Sequence, residues 1–227
     1  MCGRFSLNVD PTELQTLIPD LIVDQDVVKR YNIAPSQGVA AVLNESERRL
    51  SYIQWGLIPH WAKDSKIGIK MINARGETIH EKPSFRSSFK SKRCLILADG
   101  FYEWKALPGR NAKIPVYFRL ADAKPFAFAG IWDSWSGGNS EHPLRTCCII
   151  TTSANDLIST AHHRMPVILP SSNFDLWLQP GAVNIEELKG VLTQYPAEKM
   201  VMYPVSTKVN NVRNDASDLV LPLFGKE

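Results

Sequence analysis

No stretch of this sequence is long and apolar enough to cross a membrane, and this absence excludes a membrane-spanning protein. The longest mostly apolar run, residues 125–132, is far shorter than the ~20 residues that a transmembrane helix requires. No apolar segment follows the start Met1-Cys2-Gly3-Arg4-Phe5, so we also expect no secretory or lipoprotein signal. The sequence therefore predicts a cytoplasmic protein with no membrane partner.

Internal repeats and low-complexity linkers are also absent, which excludes solenoids, propellers and a chain divided by a flexible segment. Hydrophobic residues make up 44% of the 227 residues and charged residues 22%, as in ordinary globular proteins. The length exceeds the soft prior of ~150 residues per domain but suits one large domain better than two small ones. We predict a single domain over residues 1–227.

Cysteine is scarce, since the chain has only Cys2, Cys94, Cys147 and Cys148. Four cysteines in 227 residues do not make a disulfide framework, and we expect free thiols. The chain also lacks the C-x-x-C and H-x-x-x-H pairs that are typical of zinc sites. We therefore expect neither a bound metal nor a cofactor.

The formal net charge is only +3, but the charge is unevenly distributed. Residues 60–93 contain nine Lys or Arg and three acidic residues, a local net charge of +6. The nine are Lys63, Lys66, Lys70, Arg75, Lys82, Arg86, Lys90, Lys92 and Arg93. Such a segment is suited to phosphate contacts, and an ordinary solvated surface is the alternative.

Short strands dominate the secondary structure that the sequence predicts, and they lie at 39–43, 50–55, 94–98, 116–120, 126–131, 145–152 and 167–169. The first two flank the polar turn 44–47 and predict a hairpin. Capping patterns predict helices after Asp10-Pro11 and after Asn184, and a third short helix starting at Ser171 or Ser172. We predict an α+β fold, a mainly antiparallel, barrel-like sheet with peripheral short helices.

Cys2 is the most informative residue for function. Removal of Met1, which is favoured when the next side chain is small, makes Cys2 the amino terminus with both an amine and a thiol. The pKa values of these groups in unstructured peptides, about 8 and about 8.5, leave useful fractions of both nucleophiles near neutral pH. Such a 1,2-aminothiol can condense with an aldehyde to an imine and then close a thiazolidine ring. The alternative is an incidental residue at a frayed terminus.

Four further residues are of chemical types that could support such a reaction. Asn73 offers both a donor and an acceptor, although asparagine is often a turn residue. Glu103 lies among aromatics, where burial would raise the pKa of its carboxyl, and a surface pair with Lys105 is the alternative. His162 is a candidate proton shuttle. Trp61, in a loop broken by Gly and Pro, could stack on an unpaired base.

Seven sequence pieces in fixed order resemble the SRAP family, the SOS-response-associated peptidase proteins, which sense abasic sites in single-stranded DNA. The resemblance spans most of the chain. The pieces are residues 1–5 (MCGRF), 31–35 (YNIAP), 55–59 (WGLIP), 72–75 (INAR), 98–104 (ADGFYEW), 162–166 (HHRMP) and 209–213 (VNNVR).

The resemblance implies catalytic roles for Cys2, Asn73, Glu103 and His162. Cys2 would supply the amine and thiol that crosslink to the ring-opened aldehyde of an abasic deoxyribose. Asn73 would orient the amine and the sugar, and Glu103 would move protons during imine formation and ring closure. His162 would assist sugar ring opening or a later strand-cleaving elimination, and His163 is the alternative histidine.

The resemblance also implies DNA-binding roles. Arg4, Arg75 and Arg164 correspond to phosphate clamps, and Trp61 to part of a wedge beside the lesion. Thr151 is assigned to the same DNA-binding set.

The implied activity is a covalent abasic-site crosslink that shields the lesion, with an associated abasic-site lyase activity and self-processing at Met1. The implied partner is single-stranded DNA, either plain or at single-strand/double-strand junctions. The implied protein is a bacterial, cytoplasmic monomer that joins the nucleoid when DNA is damaged.

Two other classes of function fit parts of the sequence. Glutaminases with an amino-terminal cysteine nucleophile also begin Met-Cys-Gly, and in them the free amine acts as base for the thiol. A non-catalytic single-strand-binding module would use the basic segment and the aromatics alone. Such a module would bind intact and abasic DNA equally and would not depend on Cys2.

Overall fold

The fold is that of a computed structural model, which describes residues 2–107, 109, 112–137 and 142–223. The strands are β1 Phe5–Leu7, β2 Arg30–Ile33, β3 Gly38–Leu43, β4 Leu50–Trp55, β5 Asn73–Arg75, β6 Arg93–Ala98, β7 Gly100–Ala106, β8 Lys113–Leu120, β9 Phe126–Trp135, β10 Leu144–Ser153, β11 Arg164–Pro166, β12 Ile168–Leu169 and β13 Met200–Pro204. The helices are α1 Pro11–Leu17, α2 Arg86–Ser91, α3 Asp156–Ser159, α4 Phe174–Leu178 and α5 Ile185–Gly190. Five 3₁₀ turns lie at Ser65–Lys70, Ser171–Asn173, Ala197–Lys199, Thr207–Asn210 and Ser217–Val220.

Five strands close into a barrel, because β10, β4, β3, β6 and β9 each pair with the next and β9 pairs back to β10. The β3–β4, β3–β6, β6–β9 and β9–β10 pairs are antiparallel, while β4 lies parallel to β10. Two short strands extend β10 towards its carboxyl end: β5 pairs with it in parallel and β11 in antiparallel orientation. Strand β12 pairs with β9.

A second sheet of five antiparallel strands has the order β13-β8-β7-β1-β2. Buried residues of both sheets form one large core that includes Phe5 of β1, and a second, smaller buried cluster contains Tyr102 and Tyr117 of the second sheet. The ring of Phe5 meets Trp55 of the barrel at 5.1 Å and Phe128 at 5.7 Å, both edge-on. These contacts hold the first residues of the chain between the two sheets.

The predicted fold class is confirmed, and so are the predicted strands and helices in their approximate positions. Strands β3 and β4 form the predicted hairpin, with Val39 opposite Ile53. Helix α1 begins after Asp10, whose backbone N–H donates to the Glu13 carboxylate at 2.8 Å. In the described ranges, no helix combines the length and the apolar character that membrane crossing requires.

The sequence predicts a strand at 94–98 and none over Glu103. Residues Gly100–Ala106 themselves form β7, so Glu103 lies within a strand of the second sheet. The backbone N–H of Asp99 donates to the carbonyl of Ser6, and at this point the chain passes from the barrel into the second sheet. The short strands β1, β2, β5, β11 and β13 were also missed. Each has at most five residues, too few for an alternating pattern, and depends on its partner strand.

Arg93 does not belong to the basic surface that the charge count suggested. Its side chain is fully buried and donates to five backbone carbonyls, the shortest bonds being 2.5 Å to Gln179 and 2.6 Å to Lys90. Burial lowers the pKa of the guanidinium to about 10. Arg93 therefore ties α2 and the chain after α4 to the barrel, as a structural residue.

We expect Arg93→Met to lower the free energy of unfolding by about 3 kcal/mol, because the carbonyls lose a charged donor and stay buried. Urea unfolding followed by circular dichroism measures the change. Arg86→Met, on an exposed arginine of the same segment, is the control and should change the free energy by less than about 0.5 kcal/mol. Equal effects of the two substitutions would contradict the structural role of Arg93.

Candidate active site

Cys2 is fully buried, three positions before β1 begins, and a side chain of the barrel wall binds its main chain. The side-chain amide Nδ2 of Asn73 donates to the carbonyl oxygen of Cys2 at 2.9 Å. Asn73 opens β5 and lies opposite Ile149 of β10, so the barrel wall fixes its position. The other amide atom, Asn73 Oδ1, is buried and has no hydrogen-bond partner among the described residues.

Glu103 approaches Cys2 from the second sheet. Strand β1 pairs with β7, where Phe5 lies opposite Phe101 and the Tyr102 N–H donates to the carbonyl of Arg4 at 2.9 Å. Burial raises the pKa of the Cys2 thiol well above its ordinary value, and the Glu103 carboxylate raises it further. Burial likewise raises the pKa of the Glu103 carboxyl, and the positive amino terminus opposes that shift. The thiol and the carboxyl are therefore electrostatically coupled.

His162 lies just before β11 and is positioned by the backbone. Its Nδ1 accepts from the Arg164 N–H at 2.9 Å, and its ring stacks on that of His163 with centroids 4.4 Å apart. Burial lowers the pKa of His162, and the charge of the amino terminus lowers it further. Strands β5 and β11 both pair with the end of β10, so Asn73 and His162 lie on or next to strands that flank the same stretch of β10.

Arg75, Thr151 and Arg164 lie on three adjacent strands. Thr151 of β10 is opposite both Arg75 of β5 and Pro166 of β11. Arg164 Nη2 donates to the Thr151 carbonyl at 2.7 Å, and the buried Thr151 hydroxyl donates to a backbone carbonyl at 3.3 Å. Arg75 is exposed. The exposed cation Arg75 therefore lies on the same strand as Asn73, opposite Thr151, which is buried together with Arg164.

Glu77 holds Arg164 and was not assigned a role from the sequence. Arg164 Nη1 and Nη2 donate to the two Glu77 carboxylate oxygens at 2.5 and 2.8 Å. This fork fixes the guanidinium in one orientation. No spacing rule links the two residues, since they are 87 positions apart.

Arg4 points into the protein, where its side chain is committed to internal contacts. Its Nη1 donates to Asn32 Oδ1 and to the Val209 carbonyl, each at 2.7 Å, and its guanidinium lies 5.7 Å from the Trp104 ring centroid. The Asn32 amide also donates to the carbonyls of Asn211 and Asn214. Arg4 therefore secures the start of the chain, and its predicted phosphate contact remains a prediction.

Trp61 lies apart from these strands, on the loop before β5. Its side chain is 52% exposed and lines a groove of about 510 Å³. Other side chains lining this groove are His60, His80, Arg86 and Lys90. Among the described residues, no group of three or more His, Cys, Asp or Glu side chains is arranged to hold a metal ion.

The family model for "SOS response associated peptidase (SRAP)" matches residues 1–212. The chain belongs to the SRAP family. The match includes the start of the chain, Asn73, Glu103, His162 and most of the segment that anchors Arg4.

Relatives of this SRAP protein carry names that state a role. The abasic site processing protein YoqW of Bacillus subtilis is 45% identical over 226 residues, which cover 97% of this chain and 99% of YoqW. The abasic site processing protein HMCES of Gallus gallus is 36% identical, over 98% of this chain and 78% of its own length.

Two solved structures resemble the SRAP chain over most of its length. A Bacteroides thetaiotaomicron protein aligns with a TM-score of 0.87 at 27% identity, covering 98% of this chain and 100% of that one. A Bordetella bronchiseptica protein aligns with a TM-score of 0.76 at 26% identity, covering 90% and 100% of the two chains.

We expect Glu77→Gln to destabilise the fold at pH 7 by less than about 1 kcal/mol, because the Glu77 side chain is 50% exposed. The hydrogen bonds from Arg164 hold the pKa of Glu77 below its ordinary value. The ion pair therefore stabilises the fold at pH values above ~4.3, the pKa of glutamate in the unfolded chain. This stabilisation is lost as the pH falls through the lower pKa that Glu77 has in the folded protein.

Thermal unfolding of Glu77→Gln and the parent chain at pH 7 and pH 3 tests this linkage, and the difference should shrink at pH 3. Glu198→Gln, an exposed carboxyl, is the control and should show no such pH dependence. A difference that is the same at both pH values would show that the carboxylate charge is not responsible.

Proposed function

We propose that this protein processes abasic sites in single-stranded DNA by capturing them covalently with Cys2 after removal of Met1. The observation that carries the proposal is the hydrogen bond from Asn73 to the Cys2 carbonyl, beside the buried carboxyl of Glu103. It holds the main chain of Cys2 in one place, so the new α-amine would form at a fixed position next to a proton carrier. The names of the YoqW and HMCES relatives support this role.

The capture reaction joins the amine, the thiol and the aldehyde with loss of one water. The amine nitrogen adds to C1′ of the ring-opened deoxyribose, and the resulting carbinolamine expels water to form an imine. The thiol sulfur then adds to the imine carbon, while its proton passes to the nitrogen. A five-membered thiazolidine results, with one new C–N bond and one new C–S bond.

Glu103 is suited to carry the protons in these steps. Because the raised pKa of Glu103 lies closer to neutral pH, its carboxyl can both donate a proton to the departing water and accept a proton from the thiol. The raised pKa of the Cys2 thiol keeps it protonated until a base acts. The same proton carrier would serve the reverse reaction, release of the DNA.

His162 is suited to the second activity, the lyase reaction. Its lowered pKa keeps the imidazole neutral near pH 7, and a neutral imidazole can accept a proton. Removal of a C2′ proton from the imine would expel the 3′ phosphate and break the strand. The same base could assist opening of the sugar ring before capture.

The DNA strand would lie along the edge formed by β5, β10 and β11. Arg75 is exposed there, and Arg164 is oriented by Glu77 and by the Thr151 carbonyl. Trp61, on the loop before β5, offers a half-exposed ring for stacking on an unpaired base. These residues would place the abasic sugar beside Asn73, on plain single strands or at junctions.

We further propose that residues 1–227 act as a single domain, since buried residues of both sheets join one large core. We also propose that the protein acts as a monomer. The same proposal includes self-processing at Met1, a cytoplasmic location and recruitment to damaged DNA in the nucleoid. The SRAP match favours this function over the glutaminase alternative.

A denaturing gel of the processed protein with an oligonucleotide carrying one abasic site tests the capture. We expect a shifted band with the parent protein, none with Cys2→Ala and none with undamaged DNA. Cys147→Ala, at another fully buried thiol, is the matched control and should still form the band. Mass spectrometry confirms in each case that Met1 has been removed.

A missing band with correctly processed parent protein would overturn the proposal. The non-catalytic module would instead be supported if the protein bound intact and abasic DNA equally and if Cys2→Ala did not change that binding.

Arg75→Ala should weaken non-covalent binding to single-stranded DNA at low salt and reduce the slope of log affinity against log salt by roughly 0.7, the value for one phosphate contact on a single strand. Fluorescence anisotropy over a salt series measures both quantities. Lys199→Ala, an exposed cation on the 3₁₀ turn before β13, should leave the slope unchanged. An unchanged slope for Arg75→Ala would remove it from the DNA path.

A further inference from the structure

The ring of His163, an exposed residue directly before β11, is stacked on the ring of His162. The two centroids are 4.4 Å apart and the ring planes differ by 24°. We propose that His163 is a positioning residue, which fixes the plane of the His162 imidazole and so the direction of its Nε2 towards the abasic sugar. This inference rests on the proposed function and deepens it, because it names the side chain that orients a proton carrier of the reaction.

The backbone that carries the two histidines has a defined shape. The His162 N–H donates to the Ile158 carbonyl at 2.9 Å, and the His163 carbonyl accepts from the Ala154 N–H at 3.1 Å. Asn155 caps α3, since its Oδ1 accepts from the Ile158 N–H at 2.9 Å. The connection from β10 to β11 is thus hydrogen-bonded at both ends, and it presents the two rings side by side.

Hydrogen bonds to the backbone hold one atom of the His162 ring. Its Nδ1 lies 2.9 Å from the Arg164 nitrogen, which donates to it, and 3.2 Å from the Arg164 carbonyl oxygen, which would accept from a protonated Nδ1. Both bonds leave the ring able to turn about its Cβ–Cγ bond, because that torsion of histidine is broad. The flat ring of His163 restricts this rotation, since aromatic pairs adopt few relative orientations.

The plane of the His162 ring matters for proton transfer. Because the backbone engages Nδ1, Nε2 is the ring nitrogen that would exchange a proton with the substrate. A proton carrier acts only when it lies within about 2.6–3.2 Å of the atom that it serves. A ring that turned freely would hold Nε2 within this range for only part of the time, so strand cleavage would slow while the affinity for DNA stayed the same.

His163 also affects the charge of His162, and this effect can be separated from stacking. Burial lowers the pKa of His162 most, the positive amino terminus lowers it further, and the charges of His163 and Lys113 act in the same direction. The hydrogen bond with the Arg164 backbone opposes these effects. Phenylalanine at position 163 would keep a flat ring and remove one positive neighbour, so it should raise the pKa of His162 and leave its ring in place.

Rates of strand cleavage on a denaturing gel, with an oligonucleotide carrying one abasic site, test the proposal at pH 8, where a histidine of ordinary pKa is neutral. We expect His163→Ala to slow cleavage about fivefold, as for loss of one aromatic contact, and His163→Phe to stay within about twofold of the parent. His142→Ala, at another exposed histidine, is the matched control and should cleave like the parent.

NMR of histidine-labelled protein tests the geometry without DNA, with the His162 signals assigned from His162→Gln. Stacking shifts the ring protons of His162 upfield, and this shift should persist in His163→Phe and disappear in His163→Ala. The pKa of His162 should rise in both variants, because each removes a positive neighbour. Fluorescence anisotropy with a tetrahydrofuran oligonucleotide, which has no aldehyde, should show unchanged affinity. Circular dichroism confirms that each variant is folded.

Equal slowing by His163→Phe and His163→Ala would overturn the proposal, because the His163 imidazole would then be a reacting group itself. An unchanged upfield shift of His162 in His163→Ala would also overturn it, and so would weaker DNA binding that accounts for the whole loss of rate. A parent protein that neither crosslinks nor cleaves abasic DNA would reject the proposed function alone. Loss of the upfield shift in His163→Ala and its retention in His163→Phe would still support the positioning of His162.

Discussion

The hydrogen bond between Asn73 and the carbonyl of Cys2 is the contact on which the rest of the site depends. Chain termini are ordinarily frayed, and ordering one costs conformational entropy. Here the start of the chain is buried between two sheets, where Phe5 packs against Trp55 and Phe128. A reactive amine on such an anchored residue would need no further ordering when a substrate arrives, which is the advantage of a site built in advance.

The anchoring of the chain's start explains why distant motifs belong together. Arg4 is bound by Asn32 and by the carbonyl of Val209, and the Trp104 indole donates to Asn210 at 2.7 Å. The sequence pieces around these residues therefore support the position of Arg4 near the start of the chain. Arg4, a partly buried arginine, thus links β2 of the second sheet to the chain after β13.

Two kinds of buried ionisable group serve opposite purposes in this fold. In the fold, five backbone carbonyls replace the water around the Arg93 guanidinium, and these hydrogen bonds stabilise the packing of α2 against the barrel. Glu103 is buried with a raised pKa beside a buried thiol, an arrangement that costs stability and that is typical of reactive sites. The Glu77–Arg164 pair lies between these extremes, since it orients a cation at a half-exposed edge.

Local patterns in the sequence determined the β3–β4 hairpin, the start of α1 at Asp10 and Pro11, and the chemical types gathered at Cys2, Asn73, Glu103 and His162. These depend on alternation, capping and residue chemistry, which act over a few positions. Only the tertiary structure decided that Glu103 lies inside β7, that Arg93 and Thr151 are buried, and that Arg4 turns inward. Those outcomes depend on which segments become neighbours. The pairs Cys2–Asn73 and Arg4–Val209 are 71 and 205 positions apart, beyond the reach of any local pattern.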